Sequence, residues 1–73
     1  MHPYLISLCE EYVQLVNDMR SGQYTIAEIR QLDSQRQVTH NELCRITGLD
    51  PSDDMYAYAK AVLLAARAGC HRP

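Results

Sequence analysis

The spacing of apolar residues between positions 3 and 20 constrains the fold of this chain more than any other feature. The apolar side chains recur every three or four positions, and their stripe is formed by Leu5, Leu8, Tyr12, Leu15 and Met19. This period predicts an amphipathic helix, because residues three and four apart share one helical face. Pro3 suits a first helical turn, and Ser21-Gly22 ends the pattern. We therefore expect a long first helix over Pro3–Arg20.

Two shorter helical patterns follow, and each is preceded by a helix-start signal. Thr25 is followed three residues later by Glu28, and Thr39 is followed in the same way by Glu42. This spacing is typical of a capping box, in which the threonine and glutamate side chains bind backbone N–H groups at a helix start. The polar segment 33–37, which reads DSQRQ, separates the two patterns. The sequence thus predicts two short inner helices.

A fourth helix is predicted after Gly48, which favours a helix end. Asp50-Pro51 resembles a helix cap followed by proline at the first helical position. Gly69 is expected to end this helix, and the chain is expected to fray from about residue 69. Because no alternation typical of strands appears, the sequence predicts an all-α fold. We expect a single helical domain over residues 1–73 with about four helices, of which the outer two are long and the inner two short.

The segment from Tyr24 to Gly48 has the order of a helix-turn-helix, which usually binds DNA. Under that interpretation Arg30, Arg36 and Arg45 are candidate nucleic-acid contacts. The break from Asp33 to Val38 is longer than the usual turn of about three or four residues and lacks glycine. The formal net charge of −2 also disfavours DNA binding, since such modules are usually basic. The alternative is two capped helices within a small bundle.

Residues that carry catalysis or bind metals are scattered along the chain. The three histidines lie far apart, and three isolated glycines cannot form a phosphate-binding loop. We therefore expect no enzymatic activity, no metal and no cofactor. Cys9 and Cys44 lie among apolar residues and are predicted to be reduced core cysteines. The start of the chain lacks a basic segment, and the apolar run at Ala61 is too short to span a bilayer, so a cytoplasmic location is expected.

The last predicted helix carries more apolar side chain than one face can bury. Tyr56 and Leu64 lie two turns apart on one stripe, with Lys60 between them. Such a surplus indicates a protein–protein contact, and Tyr4 and Tyr24 are further candidate contact residues because tyrosine is enriched at interface hot spots. The alternative is that this helix is central and its neighbours cover it on every side.

Over its full length the chain resembles the small RNA-polymerase-binding transcription regulators of lytic Xanthomonas phages. The likeness runs from MHPYLISLCEEYVQLVNDMR through LCRITGLDPSDDMYAYAKAV to the terminal CHRP. It implies a non-enzymatic adaptor in the host cytoplasm that binds host RNA polymerase at the N-terminal segment of the β′ subunit and near the β flap. It also implies inhibition of sigma-dependent initiation at host promoters, and readthrough of intrinsic terminators assisted by NusA.

Three functional hypotheses follow from the sequence. The first is a phage regulator that binds polymerase, with arginines that contact nascent RNA. The second is a small helix-turn-helix repressor that binds DNA as a dimer. The third is a phage inhibitor of another host protein. We expect a monomer, because the other helices offer apolar faces that can meet the stripe of the first helix.

Overall fold

The computed structural model describes residues 2–50 and 52–70, and this part of the chain forms three helices without a strand. α1 spans Pro3–Arg20, α2 spans Ile26–Thr47 and α3 spans Met55–Cys70. The predicted all-helical class is therefore confirmed, and the predicted count of four helices is wrong. α1 has the predicted bounds, whereas α2 unites the two short inner helices.

α1 is the central helix, because it packs against both α2 and α3. His2 caps its start, where the ring Nδ1 accepts the backbone N–H of Tyr4 at 3.2 Å. After the helix, Gly22 adopts a left-handed φ of 76°, which glycine reaches without steric cost, and the chain turns toward α2. Because α2 and α3 cover two sides of α1, this helix buries five side chains: Leu8, Cys9, Tyr12, Leu15 and Val16.

The polar segment that the sequence assigns to a turn lies inside α2. Asp33 accepts hydrogen bonds from the Arg36 guanidinium and the Gln37 amide, each at 2.9 Å. Contacts at these spacings stabilise a helix, and the segment has no glycine or proline to interrupt the backbone hydrogen bonds. No side chain from Ile26 to Val38 is buried. The apolar pattern therefore lapses because little covers this part of α2, and not because the helix ends.

The predicted start of a helix at Thr39 is accordingly wrong. Thr39 is buried, and its hydroxyl donates to the carbonyl of Gln35 at 3.0 Å, one turn earlier in the same helix. A threonine in mid-helix commonly satisfies its hydroxyl in this way. The neighbouring Val38 is 70% exposed. Because the chain does not turn here, residues 33–38 do not form the turn that a helix-turn-helix requires.

The two ends of α2 confirm the predicted signals. The Thr25 hydroxyl accepts the backbone N–H of Glu28 at 3.2 Å, and the Glu28 carboxylate accepts the backbone N–H of Thr25 at 2.9 Å. This capping box satisfies donors that have no partner within the helix. At the other end Gly48 has a φ of 75°, and its N–H donates to the carbonyl of Cys44 at 2.9 Å. The sequence located both ends because each signal is local.

α3 begins later than the sequence predicts. The Asp50 carboxylate binds the backbone N–H and hydroxyl of Ser52, at 2.8 and 2.7 Å, and so holds the turn before the helix. The cap is Asp54, whose carboxylate accepts the backbone N–H of Ala57 at 3.1 Å. Pro51, predicted as the first helical residue, lies outside the described residues. α3 ends at Cys70 and so includes Gly69, where the sequence predicts the helix end and the start of fraying. The rest of the segment predicted to fray, residues 71–73, also lies outside the described residues.

The core lies where all three helices meet. Its buried hydrophobic cluster is formed by Leu8, Cys9, Tyr12, Val16, Leu43, Met55, Ala59 and Val62. α2 contributes a single member, Leu43, which is 0% exposed. Cys9 is fully buried as predicted, and burial raises the pKa of its thiol, whereas Cys44 is only half-buried. Because α1 rather than the last helix is central, one face of α3 is left without a neighbour among the described residues.

Candidate protein-binding surface on α3

The outer face of α3 carries four residues that we call the α3 stripe: Tyr56, Lys60, Leu64 and Arg67. They lie at spacings of three and four, so their side chains share one face of the helix. The stripe lies beside the buried face of α3, which holds Met55, Ala59 and Val62. Leu64 is 69% exposed, although it lies in the middle of a well-packed helix. An apolar side chain of this size on a fixed helix is a candidate anchor for another protein.

A shallow apolar groove of about 340 Å³ runs beside Leu64 between α1 and α3. Val13 of α1 and Ala61 and Leu63 of α3 line it, together with the side chains of Lys60, Leu64 and Arg67. The small and aliphatic residues make the groove apolar, and the two cations make its edge positively charged. Such a groove suits an apolar side chain of a partner rather than a polar substrate.

Tyr56, at one end of the stripe, contacts three polar side chains. Its hydroxyl donates to the Asn17 side-chain oxygen at 2.7 Å, which ties α3 to α1. The Arg20 guanidinium lies 4.8 Å from the centre of the tyrosine ring, and the Lys60 ammonium lies 5.1 Å from it. Both distances are within the range of cation–π attraction. The ring therefore restricts two cations that would otherwise move freely on an exposed surface.

The stripe is positive and has no acidic neighbour on its own helix. α3 contains Lys60 and Arg67 but no Asp or Glu. Among the described residues the ion pairs are Arg36 with Asp33 and Arg45 with Glu42. Within this part of the chain, no carboxylate lies within ion-pairing distance of Arg20, Lys60 or Arg67. Their positive charges remain available to an acidic partner.

The structure does not bring the three predicted nucleic-acid contacts together. Arg30, Arg36 and Arg45 all lie on α2, but their spacing places Arg36 on a different side of the helix from the other two. The Arg36 guanidinium donates to Asp33 at 2.9 Å, and the Arg45 guanidinium donates to Glu42 at 3.0 Å. Two of the three cations are thus occupied within the helix, and only Arg30 is exposed without an ion-pair partner among the described residues.

The predicted protein contacts divide between two sides of α1. Tyr56, Lys60 and Leu64 lie together on the stripe, as the sequence predicts. Tyr4 lies instead beside α2, where its hydroxyl donates to the Glu42 carboxylate at 2.7 Å. Tyr24 is half-buried in the connection between α1 and α2. The structure therefore does not bring Tyr4 or Tyr24 to the α3 stripe.

Sequence reasoning missed four residues that shape this surface: Val13, Asn17, Arg20 and Arg67. Arg67 could have been predicted from the sequence, because it lies seven residues after Lys60 and therefore on the same helical face. The other three belong to α1 and reach the stripe only through the packing of α1 on α3. No local pattern signals that contact, because it joins residues about 40 positions apart, as in the pair Asn17 and Tyr56.

The Tyr4–Glu42 contact gives the molecule an acid-sensitive link between α1 and α2. Hydrogen bonds from Arg45 and Tyr4 lower the pKa of Glu42 from 4.5 to about 2. A lowered folded-state pKa means that ionised Glu42 stabilises the fold above pH 4.5, and that this stabilisation is lost as the pH falls toward 2. Glu42→Gln is expected to lower the melting temperature at neutral pH. The difference in melting temperature from the native chain is expected to shrink as the pH falls from 4.5 toward 2.

Circular dichroism melts of the native chain and of Glu42→Gln at several pH values check this expectation. Glu10→Gln is the matched control, because it removes the same charge from an exposed position of α1 that makes no side-chain hydrogen bond among the described residues. An equal effect of both substitutions, or a difference that persists unchanged at pH 2, would contradict the assigned role of Glu42.

The described residues contain no group of three or more His, Cys, Asp or Glu side chains placed to hold a metal ion. None of the helices in this part of the chain has the length and apolar character needed to cross a bilayer. No protein-family model, curated protein or solved structure matches this chain.

Proposed function

We propose that this chain is a phage-encoded, non-enzymatic adaptor that binds host RNA polymerase through the α3 stripe. The observation that carries the proposal is Leu64, which is 69% exposed between two cations on a helix whose other face is buried. A soluble domain gains nothing in its own stability from such a side chain, whereas a partner that covers it gains apolar contact. The sequence resemblance to phage polymerase-binding regulators supplies the identity of the partner.

Two features of the described residues favour protein binding over the helix-turn-helix alternative. α2 is continuous from Ile26 to Thr47, so no separate recognition helix follows a turn. Arg36 and Arg45 are paired with carboxylates of the same helix, which leaves α2 with little positive charge for phosphate contacts. A positively charged apolar stripe is better suited to a protein surface that is partly acidic.

The proposed action follows from the resemblance. The chain binds the N-terminal segment of β′ and a surface near the β flap, and so hinders sigma-factor engagement at host promoters. On elongating polymerase, it promotes readthrough of intrinsic terminators together with NusA. The protein acts as a monomer in the host cytoplasm. Arg30 is the candidate for contact with nascent RNA, because it is exposed and has no ion-pair partner among the described residues.

Co-purification with polymerase tests this proposal. A tagged chain is expected to retain polymerase from nuclease-treated Xanthomonas lysate, to reduce transcription from a sigma-dependent promoter, and to raise readthrough of an intrinsic terminator further when NusA is present. A shift of duplex DNA that weakens steeply with salt, without retention of polymerase, would support the repressor hypothesis instead. Enrichment of another host protein in place of polymerase would support the third hypothesis.

A further inference from the structure

We infer that the α3 stripe receives an amphipathic helix of the partner that carries carboxylates on both sides of an apolar anchor. This inference rests on the proposed function, because it specifies the chemistry of the polymerase segment that binds the stripe. It comes from the order of side chains along α3, where the exposed Leu64 lies between Lys60 and Arg67 beside an apolar groove. A helix that lays its apolar face into such a groove is a common mode of peptide recognition.

The spacing of the two cations fixes the pattern expected in the partner. Lys60 and Arg67 are seven residues apart, which corresponds to two helical turns and a rise of about 10.5 Å. A partner helix that packs alongside α3 meets both cations with carboxylates that are also seven residues apart. An apolar residue three or four positions from each carboxylate then faces Leu64 and the groove. The partner signature is therefore acidic, apolar and acidic over two turns.

One end of the stripe is already arranged for such pairing. The Lys60 ammonium and the Arg20 guanidinium both lie near the Tyr56 ring, whose hydroxyl is fixed by Asn17. A long side chain that is already restrained loses less conformational freedom when it pairs with a carboxylate. This restraint favours an acidic residue of the partner at the Tyr56 end of the stripe.

The same contacts disfavour two other occupants. Single-stranded RNA binds through bases that stack on aromatic rings, but Tyr56 is already engaged by two cations and by Asn17. A second copy of this chain that pairs its own α3 with this one brings only further positive charge, since α3 has no acidic residue. Charge complementarity thus points to an acidic segment of a different protein.

Three labelled helical peptides with one shared leucine pattern test the inference. They carry Glu, Gln or Lys at two positions seven residues apart, and their affinities are measured by fluorescence anisotropy. The Glu peptide is expected to bind roughly tenfold more tightly than the Gln peptide, and the Lys peptide most weakly. In the double variant K60E/R67E this order is expected to reverse. Gln31→Glu adds a negative charge at an exposed position of α2. It is the matched control and is expected to keep the native order. Circular dichroism verifies that each variant is folded.

Several results would overturn the inference. These are equal affinity for all three peptides, an unchanged order in K60E/R67E, or tighter binding of single-stranded RNA that the double variant abolishes. Self-association that disappears in K60E/R67E, with no peptide bound, would assign the stripe to a second copy. Retention of polymerase by K60E/R67E as well as by the native chain would leave the proposed function standing and overturn only this inference. If the peptides bind in the expected order but the native chain does not retain polymerase, this inference would stand and the proposed function would be overturned.

Discussion

Leu43→Ala is expected to lower the free energy of unfolding by about 2–5 kcal/mol, the usual cost of truncating a buried leucine. Leu43 is 0% exposed, and it is the one member of the buried hydrophobic cluster that α2 contributes. The substitution removes apolar contact and leaves a cavity where α2 meets α1 and α3. Because a domain of this size is marginally stable, the loss is a large fraction of its total stability.

Urea denaturation followed by circular dichroism measures this effect. Val38→Ala is the matched control, since it truncates an aliphatic residue of the same helix that is 70% exposed. The control is expected to change stability little, because its side chain already contacts solvent. Equal losses for the two variants, or a loss confined to Val38→Ala, would contradict the observed packing of α2.

Gln35→Pro is expected to cost about 3 kcal/mol or more, because residue 35 lies in the middle of the continuous helix α2. Proline removes a backbone N–H from the helix, and its ring collides with the preceding turn. The Gln35 carbonyl also accepts the hydroxyl of the buried Thr39 at 3.0 Å, so distortion here reaches the core. A helix-turn-helix with its turn at residues 33–38 would tolerate proline far better.

Thermal melts of Gln35→Pro and of Gln35→Ala, at the same position, check the continuity of α2. The alanine variant is expected to match the native melting temperature or exceed it slightly, since alanine is the best helix former. A proline variant as stable as the alanine variant would show that the chain turns at the DSQRQ segment after all.

Much of the fold could be predicted because its signals are local. The apolar period of α1, the capping box at Thr25 and Glu28 and the glycine at Gly48 each act over a few residues, and the structure confirms all three. The four-helix prediction is wrong at residues 33–38, because the apolar pattern lapses there while the helix continues. The absence of Gly and Pro in DSQRQ, together with the bonds of Asp33 to Arg36 and Gln37, explains why the helix continues.

The candidate site was predictable only in part, for a related reason. Tyr56, Lys60 and Leu64 share a face by their spacing alone, so the sequence placed them together correctly. Arg20 and Asn17 join them through the packing of α1 on α3, which no local pattern encodes. The sequence also shows Asp33 three residues before Arg36 and Glu42 three residues before Arg45, a spacing from which the two ion pairs of α2 could have been predicted.

Polymerase binding by two matched variants tests the central claim most directly. Leu64→Asp places a charge at the centre of the α3 stripe, whereas Ile26→Asp places the same charge at a residue of α2 that is 73% exposed. Neither side chain is buried, so both variants are expected to keep the native helix content. With polymerase purified from a Xanthomonas host, Leu64→Asp is predicted to bind roughly tenfold more weakly or worse, as for a hot-spot residue, and Ile26→Asp to bind like the native chain. Equal affinity of the two variants would contradict the account, and so would a larger loss for Ile26→Asp.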